Sequence, residues 1–129
     1  MTNKTFEELR DYTLLWARDK DLLHEENAEK QFMKFIEEVF EFKTEFDSVF
    51  RYRKFYRDNP HREIPKAEHE RITKKAEMEM GDVFVTLIIL CEQLGFIPNK
   101  CLAMAYDKNK DRKGKTINGT FVKDEDLSE

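Results

Sequence analysis

Glu38 with Glu41 in KFIEEVFEF, and Glu79 with Asp82 in EMEMGDVFVTLIIL, form two carboxylate pairs, each spaced i, i+3. On an α-helix that spacing sets the paired Cβ atoms about 5 to 6 Å apart on one face. The second pair opens the run Val83–Cys91, in which Thr86 alone is not apolar, so its acids stand at the edge of a segment that must be buried. Carboxylates so placed need basic side chains, protons or metal ions as partners. Hard oxygen ligands gathered from two facing helices are the set that Mg²⁺ prefers. Gly81, inside the second pair, costs the helix about 1 kcal/mol and lets a ligand approach closely. One glutamate cluster alone is an ordinary solvated face; two pairs on successive segments point to a site.

Long helices must position these acids. Thr5 before Phe6-Glu7-Glu8-Leu9 is a capping-box start, and apolar residues at helical spacing carry a first helix from Phe6 to about Leu23. After a break around His24–Asn27, a second helix runs from near Ala28 until just before Asp58-Asn59-Pro60. Its stripe of Phe32, Phe35, Ile36, Val39, Phe42, Phe46, Val49 and Phe50 has Glu38, Glu41 and Glu45 along its edge, with Glu37 further round. Aromatic and basic residues alternate through its last turns, Phe50 to Arg57. A third helix is expected from Pro65 or Lys66 to Leu94, with Gly95 as the residue that ends it. Its second half is apolar all round, so it must enter the centre of a bundle or a subunit interface. A fourth helix follows from Pro98 to about Asp111. Residues 116–122, TINGTFV, then read as a hairpin about an Asn-Gly turn. The acidic end, Lys123–Glu129, is expected to be mobile.

With 129 residues the chain suits one domain, spanning 1–129 with a hairpin tail at about 112–123. The expected fold is all-α: a four-helix, bundle-like arrangement with a short C-terminal β-hairpin, self-associating as a homodimer or homotetramer to cover the third helix. Charged residues make up 39% and the net charge is −4, which argues against a nucleic-acid polymer as partner because proteins that track such a backbone carry a basic excess. No segment has the roughly 18 apolar residues of a membrane span and no signal-peptide core opens the chain, so no membrane partner and a cytoplasmic location are expected. Cys91 and Cys101 are read as buried thiols of a reducing compartment rather than as a bridge.

Taken together, the motifs resemble the MazG-like nucleoside triphosphate pyrophosphohydrolases of the all-α type. The family pattern of Glu-Glu-x-x-Glu followed by Glu-x-x-Asp on the next helix is matched by Glu37-Glu38-Val39-Phe40-Glu41 and Glu79-Met80-Gly81-Asp82. The likeness covers most of the chain: Trp16, Glu29-Lys30-Gln31 and Lys34 precede the first motif, and Ala105-Tyr106-Asp107 and Lys110 to Lys115 follow the second. The tail Asn118 to Lys123 is similar to that of small, stand-alone phage-type and bacterial members. Three departures stand out. Phe40 occupies a position where Gly is common, the interval between Glu41 and Glu79 is long, and Asp107 replaces a common Asn.

The resemblance implies a hydrolase of nucleotide metabolism that splits a nucleoside triphosphate into monophosphate and pyrophosphate, cleaning the nucleotide pool. Its implied cofactor is Mg²⁺, two or more ions held by Glu38, Glu41, Glu79 and Asp82, with Mn²⁺ able to substitute. Such ions lie between carboxylates and a triphosphate of about four negative charges, and activate an attacking water. Glu37 either orients that water or is an ordinary surface glutamate. Lys110, Arg112 and Lys115 are the implied phosphate grip. Trp16, Gln31 and Lys34 are implied as one wall of a nucleotide pocket, Trp16 being equally readable as core, and Asp107 as a contact to sugar or base. The alternative is a non-catalytic nucleotide-binding or helical interaction module.

Overall fold

The computed structural model describes residues 3–127. Its elements are helices α1 (Phe6–Asp19), α2 (Ala28–Asp58), α3 (Lys66–Gln93) and α4 (Pro98–Lys110) and strands β1 (Gly114–Ile117) and β2 (Thr120–Lys123), with single 3₁₀ turns at Glu25–Asn27 and Asp124–Asp126. The chain is therefore mostly helical, as its patterning predicts. It falls into two compact units, Met1–Gly95 and Phe96–Glu129.

In the first unit α3 packs against α2 along its length and also against α1. α1 begins as expected, with the Thr5 hydroxyl accepting from the Glu8 N–H at 3.1 Å. It stops four residues sooner than Leu23, because Asp21 takes a left-handed φ of 59°. Asp21 N–H donates to Arg18 O and Leu22 N–H to Ala17 O, the paired closure that glycine usually makes at a helix end. With neither Gly nor Pro between Ala28 and Asp58, α2 runs unbroken for 31 residues. It ends where the Asn59 side chain donates to Phe55 O at 2.8 Å, ahead of Pro60. α3 ends as predicted at Gly95, whose φ of 71° suits only glycine without strain.

Ala17, Ile88 and Ile89 are the buried apolar residues among those described, and Glu38, Thr86 and Gln93 are buried with them. The T-shaped pair Phe6 and Phe84, 5.9 Å between centroids, fastens α1 to α3. Two side-chain amides cross between elements. Gln31 Nε2 donates to Thr86 O at 3.2 Å, and Gln93 Nε2 to Leu22 O at 2.8 Å. The apolar half of α3 is not enclosed within the chain: Phe84, Leu87 and Leu94 stay exposed, as do Phe40, Phe46 and Phe50 on α2.

The second unit holds α4 and the hairpin. Asn118 and Gly119 both have positive φ, 51° and 80°, which makes the predicted Asn-Gly turn a two-residue loop closing the Ile117–Thr120 pair. The ladder starts two residues earlier than expected, at Gly114 opposite Lys123. A Cβ on Gly114 would stand 2.2 Å from Val122 O, so only glycine fits there. The segment expected to be mobile is tied back as far as it is described, since Asp124 N–H donates to Lys113 O at 2.9 Å; Ser128 and Glu129 lie outside the described residues. Cys91 is half-buried, whereas Cys101 is exposed on α4 instead of buried; both are thiols. Among the described residues no single helix is long and apolar enough to cross a membrane.

Candidate metal centre

α2 presents Glu38 and Glu41 one turn apart, and α3, packed alongside, presents Glu79 toward them. One carboxylate oxygen from each lies within 4.8 Å of the other two. Neighbouring ligands of an octahedral Mg²⁺ are about 3 Å apart and opposite ones about 4 Å, from its metal–oxygen distance of about 2.1 Å, so modest rotations bring all three onto one ion. The three differ in exposure. Glu38 is buried, at 8% accessibility, Glu79 half-buried and Glu41 exposed, so the cluster runs from the helix interface out to solvent.

The charge around these carboxylates is unmatched. Lys34, one turn before Glu38, places its Nζ 3.1 Å from Glu38 Oε1 and 3.6 Å from Glu37 Oε1. It is the basic partner that the described structure gives these acids, and it answers only one oxygen of Glu38. Glu38 Oε2 and Glu79 Oε2 are buried with no hydrogen-bond donor among the described residues. Burying an ionised oxygen without a donor is costly, and most proteins avoid it. One turn further along α2, Glu45 shows the ordinary solution: its Oε1 meets Lys75 Nζ across the helix pair at 3.3 Å. The Glu41 carboxyl is held above its usual carboxylate range, first by the charge of Glu38, then by desolvation, by a hydrogen bond to Glu38, and by Glu37 and Glu79. A proton shared with Glu38 or a cation among the carboxylates relieves that repulsion. Orphaned buried oxygens, hard donors and an opening to solvent fit a divalent cation.

Asp82, expected in the same set, stands outside the group of three and is exposed, one turn along α3 and one methylene shorter than a glutamate. Glu37 is exposed beside Lys34, where it faces water. The three residues read as a pocket wall separate into different tasks. Gln31 directs its amide to the Thr86 carbonyl, Lys34 sits on the acids, and Trp16 on α1 is 49% exposed, not core. Thr86 donates its hydroxyl back to Asp82 O and Val83 O, at 3.2 and 2.9 Å, and so satisfies itself inside the apolar run. The Gln31–Thr86 link and the Glu45–Lys75 pair are the parts of the site that sequence reasoning missed. The signal for the first was present, since Thr86 is the one polar residue in its run.

Asp107, Lys110, Arg112 and Lys115 belong to the second unit. There Lys110 Nζ lies 3.4 Å from Asp107 Oδ1 and over the Tyr106 ring. Arg112 and Lys113 line a cavity of about 320 Å³ with Lys123, Asp124 and Glu125, and Lys115 is exposed on β1. Comparison with protein-family models, with curated proteins and with solved structures found no match.

Proposed function

We propose that this chain is a Mg²⁺-dependent nucleoside triphosphate pyrophosphohydrolase of the MazG-like, all-α kind, releasing a nucleoside monophosphate and pyrophosphate. The observation that carries the reading is the trio Glu38, Glu41 and Glu79, delivered by two helices, with two buried oxygens that no donor answers. Divalent ions bound there supply charge neutralisation for a polyphosphate and a water of lowered pKa. The chain's own residues hold and aim. Glu38, the buried member, sets the floor of the site, with Lys34 fixing its other oxygen. Glu41 and Glu79 reach it from opposite helices, and Asp82 completes the set by rotating inward. Glu37, facing water, is placed to orient the nucleophile. The phosphate-holding role of Lys110, Arg112 and Lys115, and the sugar or base contact of Asp107, rest on the resemblance alone.

Self-association belongs to the same reading. A second copy, in a dimer or tetramer, covers the exposed apolar residues of α2 and α3. That exposed surface also favours one rival, a helical interaction module with no turnover. Incubation with each NTP and dNTP, with and without Mg²⁺, separates them by the monophosphate and pyrophosphate released. The expected outcome is turnover with metal, none in EDTA, and a loss of about a hundredfold or more in Glu41→Gln and Glu79→Gln at unchanged helical content, the scale of several kcal/mol of metal-borne stabilisation. No turnover with any nucleotide, or full activity in both variants, rejects the hydrolase.

A further inference from the structure

The end of α2 carries chemistry that the acidic cluster does not use. Phe55 lies about 20 Å along the helix from Glu41, at 1.5 Å per residue. Between positions 50 and 66 six basic residues face two acidic ones, Asp58 and Glu63, in a chain whose net charge is −4. Among the described residues, Arg57 alone of these six meets a carboxylate, Asp58 at 3.9 Å. Arg51, Arg53, Lys54, Arg62 and Lys66 have no ion-pair partner among the described residues. The aromatic residues between them are built into a frame. Tyr52 and Tyr56 pack at 4.8 Å, the Tyr52 hydroxyl donates to Pro65 O at 3.5 Å, and its ring lies 5.9 Å from His69 at the start of α3. Phe55 stands edge-on to Tyr56 at 5.1 Å yet stays 46% exposed, and the Arg62 guanidinium lies 5.8 Å from its centroid.

We infer that this surface binds single-stranded nucleic acid, with a base stacked on Phe55 beneath Arg62 and the flanking phosphates met by Arg51 and Lys54. In helical projection Arg51, Lys54 and Phe55 fall within about 100° of one another, so one strand meets all three. A ring held by its neighbours, half open and roofed by a guanidinium, is the stacking platform that single strands use, and unpaired cations beside it supply the backbone term. A duplex hides its base faces from such a platform. A bilayer surface calls for a continuous apolar face, and here cations interrupt it. The expectation of no nucleic-acid partner came from the charge of the whole chain; the locally cationic end of the α2–α3 pair reverses it.

The test is fluorescence anisotropy of a labelled oligo-dT with the full chain in EDTA, so that the result does not depend on metal at the acidic cluster or on hydrolysis. The expected result is saturable binding with Kd on the order of 10⁻⁵ M, weakening about sevenfold from about 50 to about 200 mM salt, as two phosphate contacts to a single strand imply. Arg51→Glu with Lys54→Glu and Arg62→Glu abolishes it. Phe55→Leu weakens oligo-dT about tenfold but leaves competition by inorganic polyphosphate unchanged, and Phe55→Tyr retains binding. Absence of binding, an affinity indifferent to Phe55→Leu, or binding only to phosphatidylserine vesicles overturns the inference.

Discussion

Glu41 shows what the site lacks. Its carboxyl is held above the usual range chiefly by Glu38, so the folded chain resists its ionisation while the unfolded chain does not. For an acid shifted upward, the unfolded state gives up its proton first. The contribution of Glu41 to stability is therefore highest below the ordinary carboxylate value and falls as pH rises from that value through the raised one. Above the raised value the metal-free protein carries this cost in full, and a cation bound there would offset it. Glu41→Gln is expected to raise the melting temperature of the metal-free protein at pH 7 while losing most of the stabilisation by Mg²⁺, which for one site is about 2.7 kcal/mol at a hundred times Kd. Thermal unfolding with and without Mg²⁺ checks both halves; a variant less stable than the parent in EDTA contradicts the account. At this scale the acids were legible because i, i+3 spacing is geometry. The turn of the Gln31 amide toward Thr86 and the exposure of Asp82 were not, since both depend on how α2 and α3 are staggered, which no single helix encodes.

The elements were legible where punctuation is chemical. Thr5, Gly95 and Asn118-Gly119 mark a start, a stop and a turn through backbone requirements that residue type alone declares. The end of α1 was missed because Asp21, instead of glycine, supplies the left-handed residue, and its side chain reaches His24 Nε2 at 2.5 Å across the turn. The hairpin depends on a less visible glycine. Gly114→Ala is expected to cost about 1 to 3 kcal/mol, the range for overpacking, because the added methyl meets Val122 O and the Phe121 ring. Hydrogen exchange is the check: amides of β1 and β2 lose protection while those of α2 and α3 keep theirs. Equal loss in both units would mean that the hairpin is not a separate site of stability.

For the molecule, the sequence announced more apolar surface than three helices cover. Phe46, Phe50, Phe84 and Leu87 remain exposed, and Phe42, tilted against Phe46, which stacks on Phe50, lines a groove with them and with Val49, Arg53 and Ala76. If copies of the chain bury this surface in one another, stability depends on concentration. A tenfold rise in protein concentration is expected to raise the melting temperature by a few degrees, following about 1.4 kcal/mol of mass action per tenfold. A melting point independent of concentration, with a monomeric mass in sedimentation, rules the assembly out.

The Gln31 amide has a mechanical corollary. A slip of one helical turn, about 5.4 Å, would pull Gln31 off Thr86 and carry Glu79 away from Glu38 and Glu41 in the same stroke. A cation chelated by those three carboxylates would act as a brake on sliding between the helices, so its occupancy should be readable as stiffness of the α2–α3 pair.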